Sequence, residues 1–376
     1  MVATKRKTSD KPPGSQGLAA GQYFDRVVEL ADASIKRFDP ARLKWMWGEA
    51  LYTYALHLLD ECLGEDRYLP FICDYLDAHI SKGYRVDQSD TMAPGLAAFA
   101  AYQRTGNLRY KAVVDRVVDY LLTSERVLDY MPNHLGSSLE GKLYPRSVWV
   151  DSVMMYGVFS GWYGSAADDA AIYDFARRQP ALFARYLQDP TDKLFYHCYW
   201  TRRQHRFPRR KIYWGRGNGW VVAGLPLTID NFAEGSEERC EAIRILTETS
   251  HALLPYQRAD GFYETVFNRP GQTYIESSAT ALIASGWMQG VADGYLDPQF
   301  LEPGVRAFRA VVDSLEMKDG LLSMPLISAP TIAIQLMPYL GYKFTPRGND
   351  WTYGLAALFF AGLNYRKLLQ RGVLVS

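Results

Sequence analysis

The sequence predicts an all-α protein, an (α/α)6 barrel built of six helical hairpins. Apolar residues recur with the helical spacing i, i+3, i+4 and i+7 in about twelve stretches, as in 110–122 with Tyr110, Val113, Val114 and Val117. Turn dipeptides such as Asp-Pro at 39–40, 189–190 and 297–298 separate these stretches. No Pro- or Gly-rich linker divides the chain internally. Twelve helices in one unit therefore predict a closed double ring.

Three segments are rich in small and apolar residues, which favours positions in the inner ring. They are 92–102, 279–286 and 353–362. The alternative is an open superhelix of helix pairs, but such arrays carry a regular repeat and this sequence shows none. Short alternating runs at 195–200, 261–267 and 320–324 are expected to form hairpin-like loops between helices.

The first 22 residues are polar and rich in Lys, Pro, Gly and Ser, which predicts a disordered tail over residues 1–20 and one barrel domain over 21–376. They lack the apolar stretch of a secretory signal, and no run of 18 apolar residues occurs, so we expect no membrane span. The four cysteines form no Cys-x-x-Cys pair and match no zinc framework. These features predict a cytoplasmic protein without a metal site.

The net charge of +1 gives no global attraction to nucleic acid or to a membrane, so neither is an expected partner. One local exception is the stretch 202–211, RRQHRFPRRK, which carries six Lys or Arg residues. It is either a solvated loop or a basic rim for an anionic ligand. Aromatic residues make up 14% of the chain, and aromatic rings can fill a core or stack on sugar faces.

Two acidic residues, Asp90 and Asp151, each stand just before an apolar helix. An aspartate in this place is commonly a helix N-cap. Two acids on successive inner helices of a ring would instead face each other across its mouth. Such a pair suits acid–base work on sugars, because one carboxyl group can keep its proton while the other is ionised.

A third motif, YWGRGNGW at 213–220, places Trp214, Arg216 and Trp220 among glycines at a helix start. Arginine can grip a carboxylate with two parallel hydrogen bonds, and tryptophan faces can stack on a sugar ring. A glycine-rich nucleotide loop should follow a buried strand, and none is predicted before this motif.

Other candidates carry weaker signals. His197 is a lone histidine, which is commonly structural, and Trp47 and Trp149 could serve a cleft or a core. Glu276 precedes another apolar helix, where a helix-start charge or a buried partner for an arginine is the ordinary expectation. No metalloprotease motif, P-loop or nucleophile elbow occurs, so no cofactor is predicted.

Taken in order, these motifs resemble the unsaturated rhamnogalacturonyl hydrolases (glycoside hydrolase family 105) and the related unsaturated glucuronyl hydrolases (family 88). The resemblance runs from about Trp45 to Leu363. Its strongest pieces are SDTMAPGLAAFAAYQRTGNLRY at 89–110, VWVDSVMMYGVF at 148–159, KLFYHCYW at 193–200, YWGRGNGW at 213–220, and the span from DGFYETV at 260 to YIESSATALIASG at 274–286.

The resemblance implies the (α/α)6 fold and a glycosidase that removes a 4,5-unsaturated uronic acid from the non-reducing end of lyase-generated oligosaccharides. It makes Asp151 the general acid and base and Asp90 the second essential carboxylate. Asp151 should then hold its proton near neutral pH, with a pKa raised by burial against Trp149 and by the charge of Asp90.

The same resemblance places the substrate-binding side chains in the matching motifs, and it expects Arg216 to hold the substrate carboxylate. The expected substrate-binding residues are Trp47, Trp149, His197, Trp214, Arg216 and Trp220. The expected partner is an anionic oligosaccharide, and the chain is expected to be a monomer or a homodimer.

Two stretches depart from the family pattern. Residues 141–146 lack the usual aromatic-His pair, and 326–330 replaces a Gly-rich loop. These departures keep two alternatives open: another (α/α)6 sugar enzyme, such as an inverting glycosidase or an epimerase, and a sugar-binding protein that has lost activity.

Overall fold

The computed structural model describes residues 18–374. Residues 1–17, most of the predicted disordered tail, and residues 375–376 lie outside the described residues. The division into a tail and one barrel domain over 21–376 stays a prediction.

The described chain is mainly helical. Its α-helices are α1 (Ala20–Arg37), α2 (Trp47–Leu63), α3 (Leu69–Lys82), α4 (Ser89–Met92), α5 (Gly95–Thr105), α6 (Leu108–Thr123), α7 (Leu139–Leu143), α8 (Val158–Ala166), α9 (Ala170–Leu187), α10 (Gly215–Ile229), α11 (Glu237–Leu253), α12 (Ser277–Ala292), α13 (Leu301–Asp313), α14 (Pro338–Phe344) and α15 (Thr352–Gln370). A π-helical turn, Val153–Gly157, leads into α8, and 3-10 turns occupy Pro40–Arg42, Leu254–Tyr256 and Pro298–Phe300.

Twelve of these helices form two concentric rings. The inner helices α2, α5, α8, α10, α12 and α15 pack side by side in that order, and α15 packs against α2 to close the ring. The outer helices α1, α3, α6, α9, α11 and α13 cover them, each packed on an inner neighbour. The outer helices α1, α6 and α13 bury one apolar stripe, whereas α10 and α12 are buried on nearly all faces. The predicted (α/α)6 barrel is confirmed.

Small residues allow the inner helices to approach closely. A Cβ atom added at Gly286 of α12 would lie 2.0 Å from the backbone oxygen of Val222 in α10. A Cβ atom at Gly219 would lie 2.9 Å from the Leu282 side chain. The small residues that the sequence places in 279–286 therefore serve helix contact within the inner ring.

The nine strands found within residues 18–374 are short and lie in the connections between helices. They are β1 (Arg126–Leu128), β2 (Met131–Pro132), β3 (Ser147–Trp149), β4 (Cys198–Trp200), β5 (His205–Phe207), β6 (Glu316–Lys318), β7 (Leu321–Ser323), β8 (Ile327–Ser328) and β9 (Arg347–Gly348). The antiparallel sheet β3-β4-β5 joins two connections that are distant in sequence and pairs Trp149 with Cys198. This sheet matters most for function, because β3 runs directly into Asp151.

The expected hairpin-like loops are found at two of three places. Residues 195–200 include β4, and 320–324 include β7 in a hairpin with β6. Residues 261–267 instead form isolated bridges, from Glu264 to Ile275 and from Val266 to Trp214. Within residues 18–374, no helix combines the length and the apolar character needed to cross a membrane.

Candidate active site

The N-terminal ends of the inner helices surround a cavity of about 400 Å³ at one end of the barrel. α2 begins at Trp47, α4 carries Asp90, α10 begins next to Arg216, and Asp151 stands two residues before the π-helical turn. The cavity is lined by Met46, Trp47, Gln88, Asp90, His134, Leu135, Glu140, Leu143, Tyr144, Trp149, Asp151, Trp214, Arg216, Pro330, Thr331 and Ile332. Helix N-termini carry positive partial charge, so this end of the barrel favours anions.

Asp90 lies beside a histidine that the sequence reasoning did not single out. The Nε2 atom of His134 is 3.6 Å from Asp90 Oδ1, and its Nδ1 atom is 2.8 Å from Ser152 Oγ. The imidazole stacks on the Trp149 indole, with ring centres 4.7 Å apart and planes 10° from parallel. The Trp149 Nε1 atom donates to Ser147 Oγ, which fixes this stack in the wall of the cavity.

Asp151 lies beside His197 on the other side of the same wall. The Nε2 atom of His197 is 3.5 Å from Asp151 Oδ2, and its Nδ1 atom is 2.7 Å from the hydroxyl of Tyr342. The His197 ring stacks on Trp214 with centres 4.2 Å apart. His197 does not line the cavity itself, so it acts on the site through Asp151.

Neither aspartate serves as a helix cap. Among the described residues, no backbone N–H donates to the side chain of Asp90 or Asp151, although α4 and the π-helical turn begin next to them. Glu276 takes the capping role at α12, where it accepts hydrogen bonds from the N–H groups of Ser278 and Ala279. Both active-site carboxyl groups are therefore left to face the cavity.

The two aspartates differ in pKa. Burial, together with the charges of Asp151 and Glu140, raises the pKa of Asp90 from 3.8 to about 8. Burial alone would also raise the pKa of Asp151, but the close His197 imidazole and the Arg216 guanidinium outweigh it and hold that pKa below its ordinary value. The two pKa values are thus displaced in opposite directions, which favours a proton on Asp90 and the ionised form of Asp151.

The lowered pKa corrects the expectation that the pKa of Asp151 is raised. The burial that the sequence suggested is present, with 12% of the Asp151 side chain exposed. The expectation was wrong because it left out the cationic and hydrogen-bonding neighbours. His134 adds no positive charge near pH 7, since burial lowers its pKa to about 4.

Arg216 lines the cavity, but its side chain is fully buried and its donors are largely occupied. The Nη1 atom donates to the carbonyl of Ser328, and Nη2 donates to the carbonyl of Ala329 and to Thr331 Oγ1. In this arrangement Arg216 fixes the loop 326–331, which contains the stretch 326–330 that departs from the family pattern. The expected two-pronged grip on a substrate carboxylate does not fit these contacts.

The Arg216 guanidinium is also enclosed by aromatic rings. It lies 4.8 Å from the ring centre of Trp214 and 4.7 Å from that of Tyr353, and 4.0 Å from Glu276 Oε1. Glu276 is thus both a helix-start charge and a buried partner of an arginine. The positive charge stays close enough to the cavity to favour an anion, even though its hydrogen bonds go to the protein.

Three of the four predicted tryptophans line the cavity: Trp47, Trp149 and Trp214. Trp220 does not, because its side chain is fully buried. It packs edge-on against Trp47, with ring centres 6.0 Å apart, and Tyr353 supports Trp47 on another side. Trp220 therefore holds a cavity wall in place and is not available to stack on a ligand.

Several lining residues escaped the sequence reasoning. His134 lies 17 residues before Asp151, outside the 141–146 stretch where the family places its histidine, yet it brings an imidazole to the cavity. His134 begins the turn that follows β2, and no motif of the sequence marks it. No group of three His, Cys, Asp or Glu residues suited to a metal ion occurs within the described residues.

Two concentric rings of six helices, with the carboxyl groups of Asp90, Glu140 and Asp151 and three indole rings around a cavity at one mouth, fit a glycoside hydrolase of the (α/α)6 class. The sequence model of Glycosyl Hydrolase Family 88 matches residues 25–369. The chain therefore belongs to Glycosyl Hydrolase Family 88.

Known proteins similar to this chain include an unsaturated rhamnogalacturonyl hydrolase, YesR of Bacillus subtilis. The two sequences are 26% identical over 349 residues, which cover 90% of this chain and 94% of YesR. The fold is also similar to that of a family 105 glycoside hydrolase from C. acetobutylicum, with a TM-score of 0.79 at 21% identity over 92% of this chain and 99% of the other. An unsaturated glucuronyl hydrolase from Bacillus sp. GL1 has a TM-score of 0.73 at 17% identity, covering 94% of this chain and 98% of the other.

Proposed function

We propose that this protein removes a 4,5-unsaturated uronic acid from the non-reducing end of lyase-generated oligosaccharides by hydrating the C4–C5 double bond. The observation that carries the proposal is the pair Asp90 and Asp151, which line one cavity and have pKa values displaced in opposite directions. The family membership and the similarity to YesR support the same reaction.

In the proposed reaction, the proton on Asp90 has two effects on binding. A neutral Asp90 adds no negative charge to repel an anionic sugar, and a carboxylic acid that keeps its proton can donate a hydrogen bond. The positive Arg216 guanidinium and the helix N-termini attract the substrate carboxylate. Stacking of the sugar ring on Trp47, the half-buried indole of the three that line the cavity, completes the proposed binding mode.

The substrate then alters the acid–base balance. A carboxylate that enters the cavity adds negative charge near Asp151 and partly cancels the field of Arg216, so it raises the pKa of Asp151 and favours its protonated form. We assign the general acid role to Asp151 in this loaded state. Asp151 donates its proton to C4, and oxocarbenium character develops at C5.

Water completes the reaction. The Asp151 carboxylate accepts a proton from a water molecule as the water oxygen bonds to C5, which restores the protonated acid and forms a hemiketal. The hemiketal opens by breaking the bond between C5 and the ring oxygen, which leaves a ketone at C5 and a hemiacetal at C1. The C1 hemiacetal then collapses to an aldehyde: its hydroxyl proton passes to the oxygen of the next sugar as the bond from C1 to that oxygen breaks, and the remaining oligosaccharide is released. The cytoplasmic location and the choice between monomer and homodimer remain predictions.

The test follows the ultraviolet absorbance of the conjugated enol-ether acid in a panel of lyase-generated oligosaccharides. The wild type should remove this absorbance, and Asp151→Asn should reduce kcat by at least about a thousandfold, the scale on which loss of a general acid–base group is felt. The matched control is Asp192→Asn, a carboxylate outside the cavity that pairs with Lys211. If wild type and Asp151→Asn are equally inert on the whole panel, the proposal is wrong.

A further inference from the structure

The hairpin over residues 202–211 is the least balanced concentration of charge on the described surface. It contains Arg202, Arg203, Arg206, Arg209 and Arg210, and within residues 18–374 none of them forms an ion pair with a carboxylate. The sixth basic residue, Lys211, pairs with both Asp189 and Asp192. Five unpaired guanidinium groups repel one another, so the hairpin has a local field that the net charge of +1 conceals.

Nearby arginines behave differently. On α9, Arg177 and Arg178 both pair with Asp174, and Arg185 pairs with Asp129. Arginines close to the hairpin on this side of the barrel thus have acidic partners, whereas the five clustered in the hairpin have none among the described residues. A solvated loop would not need such an arrangement, whereas a surface that binds an anion would.

The hairpin is attached to the wall of the active-site cavity. The Arg203 guanidinium lies 5.5 Å from the ring centre of Trp200, and Trp200 Nε1 donates to the hydroxyl of Tyr144, a cavity-lining residue. In the sheet, β5 pairs with β4, and β4 pairs with β3, which carries Trp149. The basic surface is thus the outer continuation of one cavity wall.

A groove of about 450 Å³ runs between this hairpin and α14. Its polar lining includes Arg209 and Arg210, and its apolar lining includes Pro208, Met337 and Tyr339. The segment that forms its far side begins in the cavity, because Ile332 lines the cavity and Met337 lines the groove. Five residues span at most about 18 Å, so the groove is within reach of an oligosaccharide that is anchored in the cavity.

We infer that the 202–211 hairpin and the groove beside it bind a second anionic group, a carboxylate or a sulfate, on a sugar beyond the unsaturated uronyl unit. This inference rests on the proposed function for the cavity and adds a preference for polyanionic oligosaccharides. Guanidinium groups suit either anion, since both offer oxygens to paired N–H donors. Tyr339, which is half-buried, offers apolar surface to the face of the sugar that carries the anion.

The first experiment compares Arg209→Gln/Arg210→Gln with wild type on three lyase products that share the unsaturated uronyl end. One product ends in an uncharged sugar, one carries a further carboxylate and one carries a further sulfate. The variant should raise KM about tenfold for whichever anionic product the site accepts, with kcat and the uncharged product unchanged. Added NaCl should weaken wild-type binding of that product more than binding by the variant. Equal KM values for wild type and variant on all three products would overturn the inference.

The matched control is Arg366→Gln. Arg366 is also exposed and has no ion pair among the described residues, but it lies on α15 about 20 Å along the helix from the cavity end. It should leave all three KM values unchanged. If Arg366→Gln raises KM as much as the hairpin variant, the effect is one of general charge and the inference is wrong.

A second measurement keeps this inference separate from the proposed reaction. Calorimetry with saturated uronate and sulfated oligosaccharides, which the proposed chemistry does not consume, should show binding by wild type and about tenfold weaker binding by the hairpin variant. If the wild type turns over no unsaturated substrate but this difference is present, the proposed function fails and the anion site stands. If turnover is normal and the difference in binding is absent, the proposed function stands and the anion site fails.

Discussion

Replacing Asp90 by asparagine should stabilise the protein, and the gain should grow with pH. The folded protein keeps a proton on Asp90 up to about pH 8, whereas the unfolded chain releases it near pH 3.8. Between these values the folded state binds the extra proton, so the wild type loses stability as pH rises and the loss levels off above about pH 8. Asparagine resembles the protonated acid, carries no charge to desolvate and avoids this loss.

The magnitude follows from the separation of the two pKa values. They differ by about four pH units, and each unit corresponds to about 1.4 kcal/mol, which gives an upper limit of about 6 kcal/mol above pH 8. The side chain of Asp90 is 16% exposed, and its opening to the cavity lets water reduce the cost of ionisation. A gain of about 2–3 kcal/mol by pH 8, and of almost nothing at pH 4, is therefore expected.

The assay is urea unfolding of wild type and Asp90→Asn at pH values from 4 to 9. Asp174→Asn supplies a control of opposite sign, because its hydrogen bonds with Arg178 lower the pKa of Asp174 and their loss destabilises the protein above about pH 4. If the free energies of unfolding of wild type and Asp90→Asn run parallel from pH 4 to 9, Asp90 does not hold the proton and the reasoning fails.

Three further predictions concern the cavity walls and the ring. Trp47→Ala should raise KM about tenfold, because it removes a stacking surface from the cavity. Trp220→Phe should destabilise the fold and leave KM nearly unchanged, because Trp220 is fully buried. Kinetics and thermal unfolding of both variants would show this difference. Arg216→Lys should cost about 2–4 kcal/mol in urea unfolding, because one ammonium group cannot replace the contacts to the 326–331 loop; an unchanged midpoint would contradict this. Gly286→Ala should lower the free energy of unfolding by more than about 3 kcal/mol, because its added Cβ would clash with α10. Gly21→Ala should stabilise the protein slightly, because its added Cβ meets nothing within 4 Å. Equal melting temperatures for the two variants would refute the close-packing account.

The helical ring could be predicted because its causes are local. Each long helix has its own apolar period and its own stop signals, so 110–122 identified α6, and Asp189-Pro190 correctly separated α9 from the next motif. The short helices α7 and α14 escaped because five or seven residues are too few to show a period. They form where neighbouring loops hold them.

The site could be predicted only in part, because some of its properties have local causes and others arise only when distant segments meet in the fold. Asp90, Asp151 and the tryptophans stand in motifs that a sequence displays. The proton's location depends on His197 and Arg216, which reach Asp151 only through the fold. Likewise, the donors of Arg216 are satisfied by carbonyl groups more than a hundred residues away, and Trp220 stands behind Trp47 because α10 and α2 meet in the ring.

The seam between α15 and α2 has a consequence for how the protein is made. Of the twelve helices of the two rings, α15 leaves the ribosome last, so the apolar sides of α2 and α12 that α15 covers stay exposed to water until the other eleven have been made. An open array of helix pairs could fold pair by pair as it left the ribosome. This ring can close only after α15 has emerged. A nascent chain stalled before residue 352 would lack α15 and expose the apolar sides of α2 and α12. Such a chain would be prone to aggregation, so the closed ring that forms the catalytic mouth also creates a need for chaperones during synthesis.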